Sequence, residues 1–150
     1  MCCIDGVLLS KTNIIIGSSG GVKKLLRADE CAYQGFGEAY LVITNSAVVK
    51  DWRLHKRMTA TLFLLSGIVR LVLFDSRKGS TTYGKFQEIL LSQSNQLRVT
   101  ISPEIWFAFR GESKTESLLL NVANILHDDN EVVRAQKNQI SYTWPPIDLK

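Results

Sequence analysis

The chain consists largely of short apolar segments that alternate with turn-forming residues. Each segment is rich in Val, Ile, Leu, Phe or Thr and is bounded by Gly, Ser, Asn or Pro, which is the pattern of strands joined by turns. The predicted strands cover residues 13–16, 39–44, 61–65, 68–74, 86–91, 97–101, 105–109 and 117–122. No segment keeps a helical spacing of apolar residues over several turns. These features predict an antiparallel sandwich or barrel.

Two further features of the strand pattern can be predicted. Residues 66–67, Ser-Gly, separate residues 61–65 from residues 68–74, and this spacing is typical of a hairpin. The tail over residues 141–144 contains Tyr and Trp side chains. We expect this tail to be ordered up to its tryptophan and to pack on the sheet.

A glycine-rich stretch matches a catalytic motif in form only. Residues 17–21 read Gly-Ser-Ser-Gly-Gly and fit G-x-S-x-G, the nucleophile motif of serine hydrolases. The short chain, the lack of β/α alternation and the presence of only two histidines argue against a hydrolase, so we predict a flexible turn.

Short helices are predicted only over residues 22–30 and after residues 128–130. At the second place, an Asp or Asn side chain could cap a first turn.

Length and composition restrict the class of protein. With 150 residues, the chain is predicted to form one domain spanning residues 1–150. Its 45% hydrophobic and 21% charged residues are typical of a soluble globular protein. The net charge of +4 is too small to indicate nucleic-acid binding by itself. Charged residues such as Arg70 interrupt the apolar runs, so no membrane span is predicted.

The cysteines and the N-terminus bear on the compartment. Cys2, Cys3 and Cys31 form neither a disulfide framework nor a zinc-binding motif. The first residues have no basic region followed by a long apolar region, as a signal peptide would. A reducing cytoplasm is therefore predicted.

The most basic segment contains one of the two histidines. Residues 50–57 read Lys-Asp-Trp-Arg-Leu-His-Lys-Arg. In a strand, Arg53, His55 and Arg57 would share one face because successive side chains alternate. On the concave face of a sandwich, the guanidinium groups could bind a diphosphate or a carboxylate and would lower the pKa of the imidazole, as a general base requires. On an edge strand the same charges would only be solvated, and the residues alone leave both interpretations open.

Two other clusters carry acidic and aromatic side chains. Residues 127–131 read His-Asp-Asp-Asn-Glu, but they lack the ligand spacing and the glycine of an EF-hand, so a capped turn is predicted. Residues 105–109 read Ile-Trp-Phe-Ala-Phe. Such aromatic segments usually pack in a core, and an aromatic floor for a sugar or a base is the alternative.

The order of several motifs resembles the dTDP-4-dehydrorhamnose 3,5-epimerase-like cupins, and in particular their single-domain relatives in surface-polysaccharide pathways. The motifs include Gly-Phe-Gly-Glu-Ala-Tyr at residues 35–40 and Gly-Ser-Thr-Thr-Tyr-Gly at residues 79–84. The resemblance covers nearly the whole chain and also rests on residues 48–56, 66–67, 70–75, 103–111 and 140–144. It implies an all-β cupin jelly roll whose two antiparallel sheets enclose a pocket, and a homodimer formed through N-terminal strands.

The resemblance also implies a reaction. Family members remove and return protons beside the ketone of a 4-keto nucleotide sugar, using a histidine base, a cation that stabilises the enolate and a tyrosine acid. By resemblance, His55 is the base. The lysine position holds Ala60, the histidine of a second motif is Phe107, the tyrosine acid falls at about Leu120 and the aspartate that orients the base falls near Lys137. The resemblance therefore implies a base that has lost its orienting carboxylate and its other family partners.

Other side chains of this chain could take over these roles. Arg53 or Lys56 could stabilise an enolate. Tyr83 and Tyr142 are candidate proton donors, and Tyr40 is a further one. The sequence thus offers new partners for His55, and it leaves open whether the protein is catalytically active.

The expected pocket has a substrate-binding rim and no metal. The predicted substrate-binding residues beside His55 are Arg53, Lys56, Arg57, Trp106 and Phe107. A metal-binding cupin would use His-x-His, a glutamate and a later histidine, but those positions read Arg53, His55, Ala60 and approximately Phe107. Neither a metal nor another cofactor is therefore predicted.

These observations predict an epimerase-like protein that acts on or binds a 4-keto-6-deoxy dTDP-sugar in cell-surface polysaccharide biosynthesis. A catalytically inactive cupin that binds a sugar nucleotide or a protein partner is the alternative. A basic nucleic-acid-binding β domain has only the mild positive charge and the aromatic residues in its favour, so nucleic acid is not an expected partner.

Overall fold

Antiparallel strands make up the regular structure of the chain. The computed structural model describes residues 3–136 and 138–147, and these residues form twelve strands and no helix. The strands are β1 (Val7–Lys11), β2 (Asn13–Gly17), β3 (Gly20–Lys24), β4 (Glu38–Thr44), β5 (Val49–His55), β6 (Ala60–Ser66), β7 (Ile68–Phe74), β8 (Phe86–Ser92), β9 (Leu97–Ile101), β10 (Trp106–Gly111), β11 (Ser117–Ala123) and β12 (Val132–Arg134). The predicted all-β class is confirmed.

The strands form two five-stranded sheets and a small hairpin. The first sheet has the order β1-β9-β6-β11-β4, and the second has the order β12-β5-β10-β7-β8. Strands β2 and β3 form a separate two-stranded hairpin. All strand pairs are antiparallel. The two large sheets pack face to face as a jelly-roll sandwich, which confirms the predicted architecture.

The main core lies between the two sheets. It contains Leu62 of β6, Leu71 of β7 and Val99 of β9, each at most 2% exposed. Phe107 and Phe109 of β10 belong to the same core. Because side chains alternate along a strand, the residues next to these in sequence face away from the core, and burial of the core side chains supplies most of the apolar stabilisation.

A second apolar cluster covers the outer face of the second sheet. Trp52 of β5 is 3% exposed and lies in this cluster with Val72 and Ala108. Tyr142 and Trp144 of the tail pack against the cluster. The predicted packing of the tail on a sheet is therefore confirmed.

The predicted hairpin at residues 66–67 is wrong. Strand β6 belongs to the first sheet and β7 to the second, so the chain crosses between sheets at Gly67. Gly67 has a φ of 83°, and a Cβ there would lie 2.2 Å from the Ser117 hydroxyl oxygen. The Ile68 amide donates to the hydroxyl oxygens of Ser113 and Ser117 at 2.6 and 3.2 Å. These contacts direct β7 onto β10 and β8 and away from β6.

Both helix predictions are also wrong. Residues 20–24 form β3 and pair with β2, because residues 17–20 make the predicted turn. The Leu25 carbonyl accepts a hydrogen bond from the Arg98 side chain of β9, which ties the chain after β3 to the first sheet. After residues 128–130, which do form the predicted turn, the chain enters β12 instead of a helix.

A buried carboxylate fixes the loop after β7. Asp75 is fully buried and accepts hydrogen bonds from Arg77, Ser80 and Thr82. The Thr82 hydroxyl oxygen also accepts a hydrogen bond from the Asp5 amide at 3.0 Å. These bonds connect the N-terminal segment to the rim of the second sheet. In the described residues, no helix has the length and apolar character needed to cross a membrane.

Candidate functional site

Strand β5 presents different chemistry on its two faces. Trp52 lies in the outer cluster, whereas Arg53 and His55 lie on the inner face with the core residue Phe107. Strand β12 pairs with β5 and covers its edge. Of the two interpretations of the basic segment, the concave face is therefore the one that the structure favours for Arg53 and His55. Arg57 follows the end of the strand and does not share their face.

His55 is buried and has a carboxylate partner. Its side chain is 10% exposed, and its ring stacks on Phe107 at a centroid distance of 5.8 Å. The Nδ1 atom lies 2.7 Å from Oε2 of Glu131. The expected loss of an orienting carboxylate is therefore wrong. A neutral imidazole that donates from Nδ1 to this carboxylate keeps the lone pair of Nε2 free to accept a proton.

Glu131 is held by backbone donors as well as by the imidazole. Its side chain is 3% exposed, and its Oε1 atom accepts hydrogen bonds from the amides of Met58 and Arg57 at 2.8 and 3.1 Å. Burial opposes ionisation of Glu131. The hydrogen bonds from His55 and the two amides outweigh burial and bring the pKa of Glu131 below its usual value. Glu131 is therefore an anion that orients the His55 ring.

The surroundings of His55 favour its neutral form. Burial is the main cause that lowers the pKa of His55, and the charges of Arg53 and Arg134 lower it further. The hydrogen bond and the charge of Glu131 act in the opposite direction. The net result is a pKa below the usual 6.5. At neutral pH the imidazole can therefore act as a general base.

Two guanidinium groups face the same region. Arg53 lies over the Phe109 ring at 5.6 Å, and Arg134 is its partner in the β5–β12 register. In residues 3–136 and 138–147, neither guanidinium forms an ion pair with a carboxylate. Burial lowers the pKa of Arg53, Tyr40 raises it and Arg134 lowers it. Like charges on opposite residues repel each other, so this region attracts an anion.

Tyr40 and Asn121 lie on the inner face of the first sheet, and Tyr40 is close enough to the Arg53 guanidinium to raise its pKa. They are register partners in β4 and β11, and the Asn121 side-chain amide donates to the Tyr40 hydroxyl oxygen at 2.8 Å. Asn121 alternates with the core residues Leu119 and Ala123, so its side chain points between the sheets. The interior of the sandwich therefore has a polar wall opposite the histidine.

Sequence and structure comparisons place the chain in a known family. The family model described as dTDP-4-dehydrorhamnose 3,5-epimerase matches residues 4–150. The chain belongs to this epimerase family. It is also similar to a solved structure, the dTDP sugar isomerase of Desulfovibrio desulfuricans G20, with 30% identity and a TM-score of 0.90. That comparison covers 97% of this chain and 95% of the other, which confirms the predicted fold and family resemblance.

Two proteins of glycan biosynthesis are also similar in sequence. The spore coat polysaccharide biosynthesis protein SpsL of Bacillus subtilis is 22% identical over 145 residues, covering 94% of this chain and 96% of SpsL. The probable low-salt glycan biosynthesis epimerase Agl13 of Haloferax volcanii is 26% identical over 111 residues, covering 73% of this chain and 71% of Agl13. Both relatives are thus named for the biosynthesis of a polysaccharide or a glycan.

The structure separates the candidate aromatic and tyrosine residues of this family member. Phe107 contacts the His55 ring, but Trp106 faces outward and packs against the Trp52 cluster. Tyr142 also lies in that cluster, where burial is the main cause that raises its pKa. Tyr83 lies on the loop between β7 and β8 and is 55% exposed. Trp106 and Tyr142 therefore do not reach the inner face, whereas Tyr40 packs against the core there.

The remaining predicted residues lie at the rim or in the sheets. Lys56 donates to the Asn130 carbonyl at 2.8 Å, and Arg57 pairs with Asp128 at 2.9 Å. Arg57 lines a surface cleft of about 450 Å³ that also includes the exposed side chains of Phe36 and Leu126. The charged groups of Lys56 and Arg57 are therefore bonded to the loop at residues 128–130.

The structure describes two of the three further positions that the resemblance assigns to family partners, and both hold apolar residues. Ala60 is buried at the start of β6. Leu120 alternates with the inward-facing Leu119 and Asn121, so it faces away from the interior. Lys137 lies outside the described residues. The described residues also contain no group of three or more His, Cys, Asp or Glu side chains that could hold a metal ion.

Sequence reasoning missed Glu131 and left Tyr40 as one of several tyrosines. Glu131 is 76 positions from His55, and it was part of a segment predicted only as a capped turn. No sequence signal places Tyr40 on the inner face, because its outward-facing neighbours Leu41 and Ile43 are apolar and yet exposed.

Proposed function

We propose that the protein is an epimerase of a 4-keto-6-deoxy dTDP-sugar in glycan biosynthesis and that His55 is its general base. The observation that carries this proposal is the His55–Glu131 pair, whose Nδ1–Oε2 distance is 2.7 Å. Membership of the epimerase family supports the reaction class. The similarity to a dTDP sugar isomerase supports the nucleotide-sugar ligand.

The proposed chemistry begins with a carbon acid beside the ketone. The ketone acidifies this C–H bond, and Nε2 of His55 takes the proton to give an enolate and an imidazolium. Glu131 stabilises the imidazolium because it is an adjacent, buried anion. Arg53 is the proposed group that stabilises the enolate oxygen, since its guanidinium is two residues from His55 on the same face and has no carboxylate partner among the described residues.

The proposed diphosphate contact is Arg134. It lies at the exposed end of β12, opposite Arg53, and its guanidinium has no carboxylate partner in the described part of the chain. A guanidinium can bind a phosphate with two parallel hydrogen bonds. This arrangement leaves Arg53 for the sugar and Arg134 for the nucleotide side of the ligand.

Deuterium exchange tests the role of His55. The protein is incubated with a dTDP-4-keto-6-deoxy sugar in heavy water, and deuterium at C3 and C5 is followed by NMR. We expect exchange with the wild type and at least a 100-fold slower rate for His55→Ala. His127→Ala is the matched control, because the His127 side chain is 61% exposed and pairs with the nearby Asp129. Equal exchange rates for His55→Ala and the wild type would refute the assignment.

The same experiment separates an enzyme from a binding module. An inactive cupin would show no exchange but would bind the dTDP-sugar saturably, with weaker binding for Arg53→Ala. If neither exchange nor binding occurs, the sugar-nucleotide proposal itself is wrong. Calorimetric titration with the same dTDP-sugar measures the binding.

A homodimer is proposed through the N-terminal hairpin. Ile15, Ile16 and Val22 of β2 and β3 are 52%, 80% and 60% exposed. Such an apolar surface is typical of a protein interface, and a second copy of this chain would cover it. We expect light scattering to give twice the chain mass for the wild type and a shift toward the monomer for Ile16→Lys. A monomeric wild type would refute the dimer.

A cytoplasmic location is part of the same proposal. Cys3 and Cys31 are free and exposed. Free exposed thiols are compatible with a reducing compartment.

A further inference from the structure

We propose that Tyr40 is the proton donor that completes the inversion at the carbon from which His55 removes a proton. This inference rests on the proposed epimerase function and deepens it. It begins from the two polar walls of the interior: His55 on β5 of the second sheet, and Tyr40 with Asn121 on β4 and β11 of the first.

The placement on opposite sheets fits the stereochemistry of an epimerisation. Inversion requires that a proton leave one face of the carbon and that another arrive on the opposite face. A base and an acid on the same wall would return the proton to the face it left. Tyr40 packs against the core between the sheets, and it acts electrostatically on the Arg53 guanidinium beside His55. The two groups therefore flank a ligand from opposite sides.

The contact with Asn121 leaves the Tyr40 proton available. The Asn121 amide nitrogen donates to the Tyr40 oxygen at 2.8 Å, so the hydroxyl hydrogen is not used in this bond. The same bond fixes the position of the phenol oxygen. Tyr40 can therefore donate its own hydrogen toward a ligand.

An unsatisfied acceptor marks the same place as a ligand site. Asn121 is 2% exposed, and its Oδ1 atom is buried without a hydrogen-bond partner in the described residues. Buried polar atoms nearly always have partners. A hydroxyl group of a sugar beside Tyr40 would supply the missing donor, and this would place the sugar ring between Asn121 and His55.

The proposed steps conserve every proton. Nε2 of His55 takes the proton from the carbon beside the ketone, and the electron pair moves into the enolate. The enolate collapses to the ketone as the carbon takes the hydroxyl proton of Tyr40 on its opposite face. The imidazolium then loses its proton to water and the tyrosinate takes one from water. The net result is an isomerised sugar and no change in oxidation state.

The test compares exchange with inversion in Tyr40→Phe. In heavy water with a dTDP-4-keto-6-deoxy sugar, His55 still forms the enolate and can return a deuteron to the same face. We therefore expect deuterium in recovered, uninverted substrate at a rate within about threefold of the wild type, while the yield of epimer falls by about 10²-fold or more. Tyr83→Phe and Tyr142→Phe are the matched controls, and both should keep the wild-type ratio of inversion to exchange.

A second variant tests the positioning by Asn121. In Asn121→Asp, a carboxylate oxygen in place of the amide nitrogen accepts the Tyr40 hydroxyl hydrogen and withdraws it from the ligand. We expect the inversion-to-exchange ratio to fall here too, and thermal melting shows that each variant assayed is folded. The Tyr40→Phe result is decisive if this variant does not fold.

Three results would overturn the inference. If Tyr40→Phe keeps the wild-type ratio of inversion to exchange, another group is the proton donor. An equal loss of exchange and inversion in folded Tyr40→Phe would assign Tyr40 to packing or binding. No exchange in the wild type would refute the epimerase proposal, and the role of Tyr40 would be refuted with it.

Discussion

Replacing Glu131 by Gln tests whether the carboxylate sets the protonation state of His55. In the native pair, Oε2 of Glu131 accepts from Nδ1 of His55, and Oε1 accepts from the Met58 and Arg57 amides. A glutamine oxygen would stay on these two amide donors. Its NH₂ group would then face Nδ1 of His55 and donate to it. The imidazole would carry its proton on Nε2, where it could not act as a base.

The expected loss follows from the two hydrogen bonds involved. A bond to a charged partner, worth roughly 1.5–3 kcal/mol, disappears from the active tautomer. A neutral bond of about 1 kcal/mol appears in the inactive tautomer. The sum of about 2.5–4 kcal/mol corresponds to a loss of roughly 10²- to 10³-fold in the rate of proton removal.

The assay is the initial rate of deuterium entry at C3 and C5 of a dTDP-4-keto-6-deoxy sugar at pH 7. Glu116→Gln is the matched control, because Glu116 lies exposed on the turn before β11. Thermal melting checks that Glu131→Gln is folded. A rate within threefold of the wild type would refute the argument that Glu131 orients the base.

The remaining predictions concern pH and stability. The pKa of His55 lies below 6.5 and the neutral form is the active one, so the exchange rate should be constant near pH 7 and fall at lower pH with a midpoint below pH 6.5. Arg134→Gln removes a charge that lowers the pKa of His55, so the midpoint for this variant should lie at higher pH. An unchanged midpoint would contradict the proximity of Arg134 to His55. Hydrogen bonds from Arg77 are the main cause that holds the pKa of Asp75 below 3.8; burial opposes them, and bonds from Ser80 and Thr82 add to them. The Asp75 carboxylate therefore stabilises the fold above pH 3.8, and this stabilisation is lost as the pH falls below that value. Asp75→Asn should therefore lower the free energy of unfolding in urea by about 1–3 kcal/mol at pH 7, with a smaller difference at pH 3, and equal differences at both pH values would refute this.

The strand pattern predicted much of the fold because each strand has a local signal. Residues 97–101 and 117–122 are bounded by turn residues and match β9 and β11 closely. The crossing at Gly67 could not be predicted in the same way. A short Ser-Gly connection fits a hairpin equally well, and the choice depends on the Ser113 and Ser117 hydroxyl groups, which are distant in sequence.

Of the candidate site, the sequence could predict only the residues that lie on β5. Alternation along β5 correctly placed Arg53 with His55 and Trp52 on the other face. The partners of His55 and Arg53 come from other strands, and single-sequence patterns do not contain the register between strands. The sequence therefore predicts only a turn at Glu131. In the structure, β12 places Val132 opposite His55, and the carboxylate of the preceding residue, Glu131, reaches Nδ1 of His55.

The 76-residue separation of His55 and Glu131 has a consequence for dividing the chain. The turn at residues 93–96 between β8 and β9 lies between the two in sequence. A cut there would leave the imidazole on the first fragment and the carboxylate on the second. The first sheet would also be shared, since β9 and β11 of the second fragment flank β6 of the first. Deuterium exchange would then report on fragment reassembly, and the protein could serve as a split reporter whose signal requires both halves.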